Sequence, residues 1–269
     1  MLTERQTLLA KIETNYGVDA VPTAATNAIL TQPVKQKIIS RSLERNNVKA
    51  YFGNDAPVNV GDGVVLDFVT ELKGSGVVAT PPEIGVLYRG CNYTETIVAA
   101  TSVAYDPHSN LVGSESLSMY YYYDGKMRKV LGCRGTFKLD GKAGDFVRIA
   151  WTFTGIYAGP ADVAMVTGTV NQGIPPRFLS AAFAIDNYAA IIESLSIDAG
   201  NQVSPRPDVS HTTGIREYFV GNRNVTGSID PEEVLNSIKD FESIWSLSSR
   251  VAFTAAVGTV LGNKCIITA

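Results

Sequence analysis

The clearest alternation of apolar and polar positions lies between residues 117 and 154, and it predicts an antiparallel meander with one buried face. Its three predicted strands are 117–123, 127–139 and 146–154. Asp124-Gly125 separates the first two strands, and this pair tolerates the positive φ angles of a tight hairpin turn. Side chains alternate in direction along a strand, so the apolar residues of the third strand share one face: Val147, Ile149, Trp151 and Phe153.

A strand followed by a short helix is predicted twice along the chain. The two predicted pairs are 63–72 with 81–91 and 224–229 with 230–245. Each pair runs into β-patterned sequence that contains Val-Leu-Gly, at 130–132 and again at 260–262. The pattern favours two tandem antiparallel β domains, each with a flanking short helix. Chance repetition of a common strand and helix order is the alternative.

The second of these helices has well-placed terminal residues. Asp230 can cap its first turn, and Pro231 suits the first helical position. Its apolar positions follow helical spacing and form one stripe that a sheet could bury: Val234, Ile238, Phe241 and Trp245. Capping and a solvated outer face explain its carboxylates without catalysis: Asp230, Glu232, Glu233, Asp240 and Glu242.

The predicted organisation has four parts, which are an N-terminal helix and extended arm at 1–33, a first β domain at 34–158, a linker at 159–176 and a second β domain at 177–269. The second domain lacks a counterpart of the third meander strand, so it is expected to be incomplete at its C-terminus. Within the first part, Leu8, Leu9 and Ile12 give residues 3–14 the pattern of an amphipathic helix.

Two polar stretches are predicted as long loops, at 44–62 and at 198–213. The first follows a predicted strand at 34–43. The second is followed by a predicted hairpin, in which strands 215–220 and 225–229 would pair with each other.

The composition is that of a globular β protein. Of 269 residues, 45% are hydrophobic and 18% charged, and Tyr, Phe, Gly, Thr and Val are abundant. The net charge of -3 gives no general attraction to nucleic acid, which argues against a dedicated DNA binder.

The three cysteines, Cys91, Cys133 and Cys265, lack metal-ligand spacing and are expected to be reduced apolar residues of a cytoplasmic product. Neither a secretory signal nor membrane insertion is predicted.

The sequence contains no motif of an enzyme. His108 and His211 are the two histidines, and both are predicted to lie in solvent-facing loops. A hydrolase that uses one of them is the weakest alternative, because no serine lies in a nucleophile elbow. We therefore predict no enzyme, no catalytic, cofactor-binding or metal-ligating residue, and no cofactor.

Glycine-rich and basic segments also have simple structural explanations. The segment 73–76 lacks the Gly-Lys-Ser/Thr ending of a nucleotide loop, and 141–144 fits a hairpin turn. A cluster of basic residues next to Tyr120–Tyr123 is interpreted as an exposed hairpin with charged edges rather than a nucleic-acid site: Lys126, Arg128, Lys129, Arg134 and Lys138. A β-sandwich module that binds glycans on Tyr120–Tyr123 is the alternative of another functional class.

Several segments of the sequence resemble the major tail tube proteins of long-tailed (siphophage-type) bacteriophages. The similar segments are 8–28, 66–76, 85–91, 193–198 and 214–230. The resemblance implies β-sandwich or half-barrel units with a flanking helix, whose sheets join between neighbours around a channel. The ending departs from this pattern, since the resemblance leads us to expect further strands after 264–268.

The resemblance implies a structural virion protein that self-assembles into stacked rings and forms the hollow tail tube that conducts the DNA genome into the host. Three two-domain subunits per ring are favoured, with a hexamer as the alternative. Contacts between subunits are expected at 17–33, 44–62 and 199–213. The expected partners are a tape-measure protein in the lumen and tail-terminator and baseplate or distal tail proteins, and DNA passes without specific binding. The resemblance also implies that the protein assembles in the host cytoplasm and resides in the tail of the virion. The inner-tube protein of a contractile injection system is the nearest alternative.

Overall fold

A computed structural model of the protein describes residues 5–110, 112–179 and 182–268, with only the backbone of Asp62. The strands are β1 (Gln6–Ile12), β2 (Ala28–Ile29), β3 (Lys35–Leu43), β4 (Val58–Glu71), β5 (Tyr93–Val98), β6 (Ser102–Pro107), β7 (Leu117–Tyr123), β8 (Lys126–Lys142), β9 (Arg148–Asp162), β10 (Ala182–Ile185), β11 (Ile192–Asp198), β12 (Asn201–Pro207), β13 (Ile215–Arg223), β14 (Thr226–Pro231), β15 (Phe253–Val257) and β16 (Cys265–Thr268). The helices are α1 (Gly85–Gly90) and α2 (Phe241–Ser246).

The main sheet is antiparallel and follows the order β2-β1-β7-β8-β9-β4-β3. Strand β8 also pairs with β11 along its second half, and β11 pairs with β14. A smaller sheet has the order β10-β15-β16, and β5 and β6 form a separate hairpin. The predicted class, a mainly β fold of antiparallel sheets with short flanking helices, is confirmed.

The core lies between one face of the main sheet and a covering layer of α1, the β5–β6 hairpin and the small sheet. The predicted apolar face of β9 is confirmed, since Val147, Ile149, Trp151 and Phe153 are all at most 1% exposed. Tyr88 of α1 lies at the centre of an aromatic cluster, with its ring 5.0 Å from that of Trp151 and 5.1 Å from that of Phe137. Aromatic burial on this scale is a major source of stability.

A second, smaller core lies on the opposite face of β1, β7 and the start of β8. Its buried members are Leu9, Ala28, Tyr120, Tyr122 and Met127, and residues between 161 and 170 cover them. The Thr169 N–H donates to the Ala24 carbonyl over 2.9 Å, which ties this covering segment to the N-terminal region. The predicted linker at 159–176 therefore packs against the sheet along part of its length.

The predicted N-terminal helix at 3–14 is wrong, because residues 6–12 form strand β1 and pair with β7 over their whole length. Leu8 belongs to the main core and Leu9 to the second core, so these adjacent leucines are buried on opposite sides of the sheet. A strand buried on both faces shows no period-2 alternation, and its short apolar run resembles that of a helix.

The predicted helix at 230–245 is much shorter than expected, since only α2 is helical within it. Asp230 and Pro231 end strand β14, and Asp240 caps α2 by accepting the Ser243 N–H over 2.8 Å. Asp230 instead accepts N–H groups from Glu193 and Ser194 beside β11. Sheet pairing has overridden a local helix signal, and two of the four residues of the expected apolar stripe, Ile238 and Trp245, remain exposed.

The predicted hairpin of 215–220 with 225–229 is also wrong. Strand β13 pairs with β12, and β14 pairs with β11, so residues 192–231 form one long hairpin whose tip lies at 208–214. The predicted polar loop at 198–213 therefore contains a strand, β12. The turn residues at 221–224 are compatible with a local hairpin. The chain instead pairs β13 with β12 and β14 with β11, which are farther away along the sequence.

The two halves of the chain share one sheet, because Ser194–Asp198 of β11 pair with Lys138–Lys142 of β8. The repeated order of strand and helix is present as β4 with α1 and β14 with α2, but α1 is largely buried and α2 largely exposed. The Val-Leu-Gly segments differ too, since 130–132 lies in β8 and 260–262 in a turn. The division into two domains stays a prediction.

The hydrogen bond between Trp151 and Thr70 gives a direct test of this core. The Trp151 Nε1–H donates to Thr70 Oγ1 over 2.8 Å, and Thr70 is 2% exposed. Thr70→Val keeps the shape but leaves a buried donor without its acceptor, so we expect a loss of about 1–3 kcal/mol in the free energy of unfolding. Urea denaturation measures it. Thr96→Val, at an exposed position of strand β5, is the control and should cost less than about 0.5 kcal/mol. Equal losses for both variants contradict the packing described here.

Candidate assembly interface

Three strands end the main sheet in the described part of the chain, namely the two-residue strand β2 and the longer strands β3 and β14. A continuous path of pairing runs β3-β4-β9-β8-β11-β14, so β3 and β14 are at opposite ends of it. Exposed edges present unpaired N–H and C=O groups to other chains and are costly unless they are covered or paired. These edges are therefore candidate contacts with other subunits.

The β3–β4 hairpin extends beyond the sheet and exposes apolar side chains. Strand β4 pairs with β9 only from Gly63 onward, so residues 58–62 pair with β3 alone. The loop at 44–57 ends this projection, and Phe52 at its tip is fully exposed. The exposed large apolar residues of the projection are Ile38, Ile39, Leu43, Val48, Tyr51, Phe52, Val58 and Val60. A concentration of this kind marks an interaction surface.

The sheet face opposite the main core is polar near the paired strands β4, β9, β8 and β11. We call this surface the polar face, and its charged members are three cations and four carboxylates: Lys138, Lys142, Arg148, Asp67, Glu71, Asp140 and Asp198. They lie side by side in register, with Arg148 between Glu71 and Asp140. Cations and carboxylates are therefore interspersed on this face, and neither sign dominates it.

The long hairpin covers the rest of this face. The Tyr218 hydroxyl lies so close to Gly63 that a Cβ there would be 2.4 Å from it, and the Thr213 carbonyl lies against Gly61 in the same way. Gly63 is therefore required for the close approach of the hairpin to β4. Arg134, 5% exposed beneath it, donates to the Tyr218 carbonyl over 2.7 Å and to the Glu217 carboxylate over 3.3 Å.

The predicted N-terminal arm is attached to the sheet of its own chain. Asp19 accepts hydrogen bonds from the Tyr120 hydroxyl and from Lys129 Nζ, the latter over 3.0 Å. Burial alone would raise the pKa of Asp19, but the hydrogen bonds from Tyr120, the Val21 N–H and Lys129 outweigh it and lower this pKa below its usual value. Residues 17–33 are thus not a free extension in the isolated subunit.

A buried carboxylate joins the N-terminal segment to β7 and β8. Glu13 is 6% exposed and accepts four hydrogen bonds, from the Gly17 and Gly132 N–H groups and from the Ser116 and Ser118 hydroxyls. Asn201 has a similar role at the start of β12, where its side-chain amide donates to the carbonyls of Cys91 and Gly135. Sequence reasoning missed Glu13, Asn201 and Arg134, because their partners are 66 or more residues away or on strands whose pairing was not predicted.

The two histidines lie in separate loops. His108 lines a groove of about 220 Å³ next to Arg89, and its Nε2 is 3.2 Å from the Val112 carbonyl oxygen. The neighbouring Arg89 is held by a bidentate ion pair with Glu115. His211 lies in the tip of the long hairpin, with Nδ1 3.0 Å from Thr213 Oγ1. The loop placement predicted for both histidines is confirmed.

The two glycine-rich segments are structural. Gly74 and Gly76 form backbone contacts with the turn at 260–263, in which the Gly76 N–H donates to the Gly262 carbonyl over 3.0 Å. Lys73 is 4% exposed and donates to the Asn171 carbonyl over 2.6 Å. The segment 141–144 lies at the end of β8 and the turn that follows, as predicted.

The interpretation of Tyr120–Tyr123 as an exposed sugar platform is wrong, because Tyr120, Tyr121 and Tyr122 are at most 7% exposed. The expected exposed basic hairpin is wrong for a related reason, since β8 is an interior strand with partners on both sides. Of its cations, Arg128 bonds to Gln36 and Lys129 to Asp19.

All three cysteines are among the described residues and are free thiols. Burial raises the pKa of the Cys91 and Cys133 thiols well above the usual value. In the described residues, His, Cys, Asp and Glu side chains do not come together in a group of three that could hold a metal ion. The two short helices found in this part of the chain are too short to cross a membrane.

These surfaces define a class of protein, an antiparallel β subunit with free sheet edges at β3 and β14, which is suited to association with copies of itself. Comparison with protein families identifies the chain more closely. The model of the family described as phage tail tube protein matches residues 3–232, and the chain belongs to that family. It is therefore a structural component of a bacteriophage virion tail, and membership implies assembly into a multi-subunit tube. A search of curated proteins gave no match.

The contact between Asp19, Tyr120 and Lys129 predicts a pH-dependent contribution to stability. The folded-state pKa of Asp19 is lowered, so its stabilisation is complete above the unfolded pKa of about 3.9 and is lost as the pH falls through the folded value. We expect Asp19→Asn to lower the free energy of unfolding by about 1 kcal/mol at pH 7 and by progressively less below pH 4. Urea denaturation at several pH values measures this difference. The exposed Asp106→Asn is the control, and a deficit that does not change with pH is inconsistent with the contact.

Proposed function

We propose that this chain is the self-assembling subunit of a phage tail tube, in which rings of subunits stack around a channel that conducts the DNA genome into the host. The observation that carries the proposal is the pair of free edges, β3 and β14, at opposite ends of one antiparallel path in a member of the tail tube family. We propose no catalytic role and no cofactor for it.

Head-to-tail joining of these edges continues the sheet from one subunit to the next. The path β3-β4-β9-β8-β11-β14 contains six strands that alternate in direction, so β14 of one copy runs antiparallel to β3 of the next when a rotation about the channel axis relates them. Repeating this contact around an axis closes a ring, and closure pairs the free edges of β3 and β14 in every copy.

The polar face is our candidate for the channel lining. Each of its three cations has a carboxylate nearby. Examples are the ion pairs of Lys138 Nζ with Asp140 Oδ1 at 3.1 Å and of Arg148 Nη1 with Asp145 Oδ2 at 2.7 Å. A surface with balanced charges offers phosphates little net attraction, so DNA can pass without being retained. The same lumen would hold a tape-measure protein before ejection.

The loop at 44–57 is the best candidate for contact with the adjacent ring. It projects beyond the sheet and exposes Val48, Tyr51 and Phe52. The other two segments expected at subunit contacts are each tied to their own chain, 17–33 through Asp19 and β2 and 199–213 through the pairing of β12 with β13, which leaves them less free to reach a neighbour.

The shared sheet favours six subunits per ring over three. Three subunits would supply sixfold symmetry only if each chain carried two equivalent sheets, whereas strands from both halves of this chain belong to one sheet. We therefore propose a hexameric ring, with the trimer of tandem domains as the alternative. The remaining proposed partners are the tail-terminator and the baseplate or distal tail proteins, and assembly takes place in the host cytoplasm.

The inner-tube protein of a contractile injection system would use the same ring contacts, and co-purification with a sheath distinguishes it. The alternative function as a glycan-binding module is not supported, because the tyrosines assigned to the glycan site, Tyr120–Tyr122, are buried. The family match favours the tail tube over both.

Changing the apolar tip of the 44–57 loop tests the proposed stacking contact. We expect the triple variant Val48→Ser, Tyr51→Ser and Phe52→Ser to fold normally and to form rings, but to stack into tubes at least tenfold less, since it removes apolar surface available to the next ring. Light scattering and negative-stain electron microscopy measure ring mass and tube length.

The matched control changes apolar residues that are exposed elsewhere, Val112→Ser and Ile174→Ser, which are 80% and 79% exposed. This variant should stack like the wild type. Normal tubes from the triple variant overturn the loop assignment, and a wild-type chain that stays monomeric at high concentration overturns the proposed function. Deleting residues 1–33 is not an equivalent test, because it removes β1 from the interior of the sheet.

A further inference from the structure

The segment that follows β14 exposes both carboxylates and large apolar side chains. Residues 230–247 contain five carboxylates and one lysine, and that lysine, Lys239, bonds to Asp186 within the chain over 2.8 Å. The exposed large apolar residues of the segment are Leu235, Ile238, Trp245 and Leu247, at 58–83% exposure. Nearly all of this segment lies beyond residue 232, where the family match ends.

The opposite edge of the sheet has the complementary character. Strand β3 begins with Lys35 and Lys37, and residues 35–45 contain four cations and one carboxylate. Ile38 and Ile39 are 46% and 39% exposed in the same strand. No ion pair within the described part of the chain engages Lys35 or Lys37, nor Glu232, Glu233 or Glu242 at the other edge.

The direction of the strands brings these two surfaces together between subunits. In an antiparallel contact between β14 and β3 of the next copy, the end of β14 lies beside the start of β3. Glu232 and Glu233 follow the last residue of β14, and Lys35 and Lys37 are in the first three residues of β3. The carboxylates of one copy and the ammonium groups of the next would therefore meet at the same end of the shared edge.

We infer that the segment 232–247 is an inter-subunit latch that binds the start of strand β3 in a second copy of this chain. Its carboxylates Glu232 and Glu233 pair with Lys35 and Lys37, and its apolar residues, Trp245 among them, cover Ile38, which lies on the core side of β3 beside Val64. The inference rests on the proposed ring, and it adds the residues that select the neighbour. Complementary charges at such a contact fix its register and disfavour wrong pairings.

Charge reversal and its rescue test the latch. Glu232→Lys with Glu233→Lys should raise the concentration for half-maximal ring formation by about tenfold or more, because like charges then face each other. Lys35→Glu with Lys37→Glu should have the same effect. The chain that carries all four substitutions should assemble within a few-fold of the wild type, which a purely structural role for these residues would not produce.

The control reverses two exposed carboxylates away from both edges, Asp106→Lys and Asp162→Lys, and should assemble like the wild type. Analytical ultracentrifugation measures ring formation, and circular dichroism checks that each variant is folded. Failure of the fourfold variant to recover, or normal assembly of both charge-reversed pairs, overturns the latch while leaving the ring intact. A wild-type chain that forms no oligomer overturns the proposed function and the latch together.

Tryptophan fluorescence gives an independent readout of the same contact. The chain has two tryptophans, of which Trp151 is 1% exposed in the core and Trp245 is 83% exposed in the segment. Ring formation should shift the emission to shorter wavelength by burying Trp245, and Trp245→Phe should abolish the shift. An emission maximum that stays the same in wild-type rings contradicts the placement of Trp245 at the contact.

Discussion

The fold depends on how strand β8 divides its two edges among three partners. One edge pairs with β9, while the other pairs first with β7 and then with β11. Near the point where the β7 pairing ends, the pairing of β8 with β9 is irregular between Leu131 and Arg134, and buried backbone groups in this region must find other partners. Glu13 accepts the Gly132 N–H, and Asn201 donates to the Gly135 carbonyl. These side chains satisfy backbone groups of β8 just before residues 138–142, where β11 from the second half of the chain joins the sheet.

That junction also creates the surfaces available for assembly. Adding β11 and β14 to β8 places one free edge at β14, while β3 remains the free edge at the other end. A strand path with free ends is unfavourable for an isolated subunit and suited to a ring, since each end can pair with the opposite end of a neighbour. The stability of the subunit and its capacity to assemble therefore have a common origin in β8.

Elements with a clear period were predictable from the sequence, and elements set by distant contacts were not. The meander from 117 to 154 was predictable from strict alternation of apolar and polar residues and from an Asp-Gly turn. Membership of the tail tube family was predictable from similar segments in both halves of the chain. Strand β1 resembled a helix because both of its faces are buried, and Asp230 resembled a helix cap although β14 continues through it. Glu13, Arg134 and Asn201 carry no local signal, since each is defined by partners far away in the chain. The free edges could be identified only after the strand order was known, because they depend on which strand lacks a neighbour.

In the proposed ring, the free edges of β3 and β14 join head to tail and continue the sheet from one subunit to the next. A cryo-electron microscopy reconstruction of assembled wild-type protein, at a resolution that separates strands, tests it most directly. We predict six copies per ring, with β14 of each copy hydrogen-bonded antiparallel to β3 of the next and the polar face toward the channel. A ring in which β3 and β14 both face solvent, or in which other strands form the contact between subunits, would contradict it.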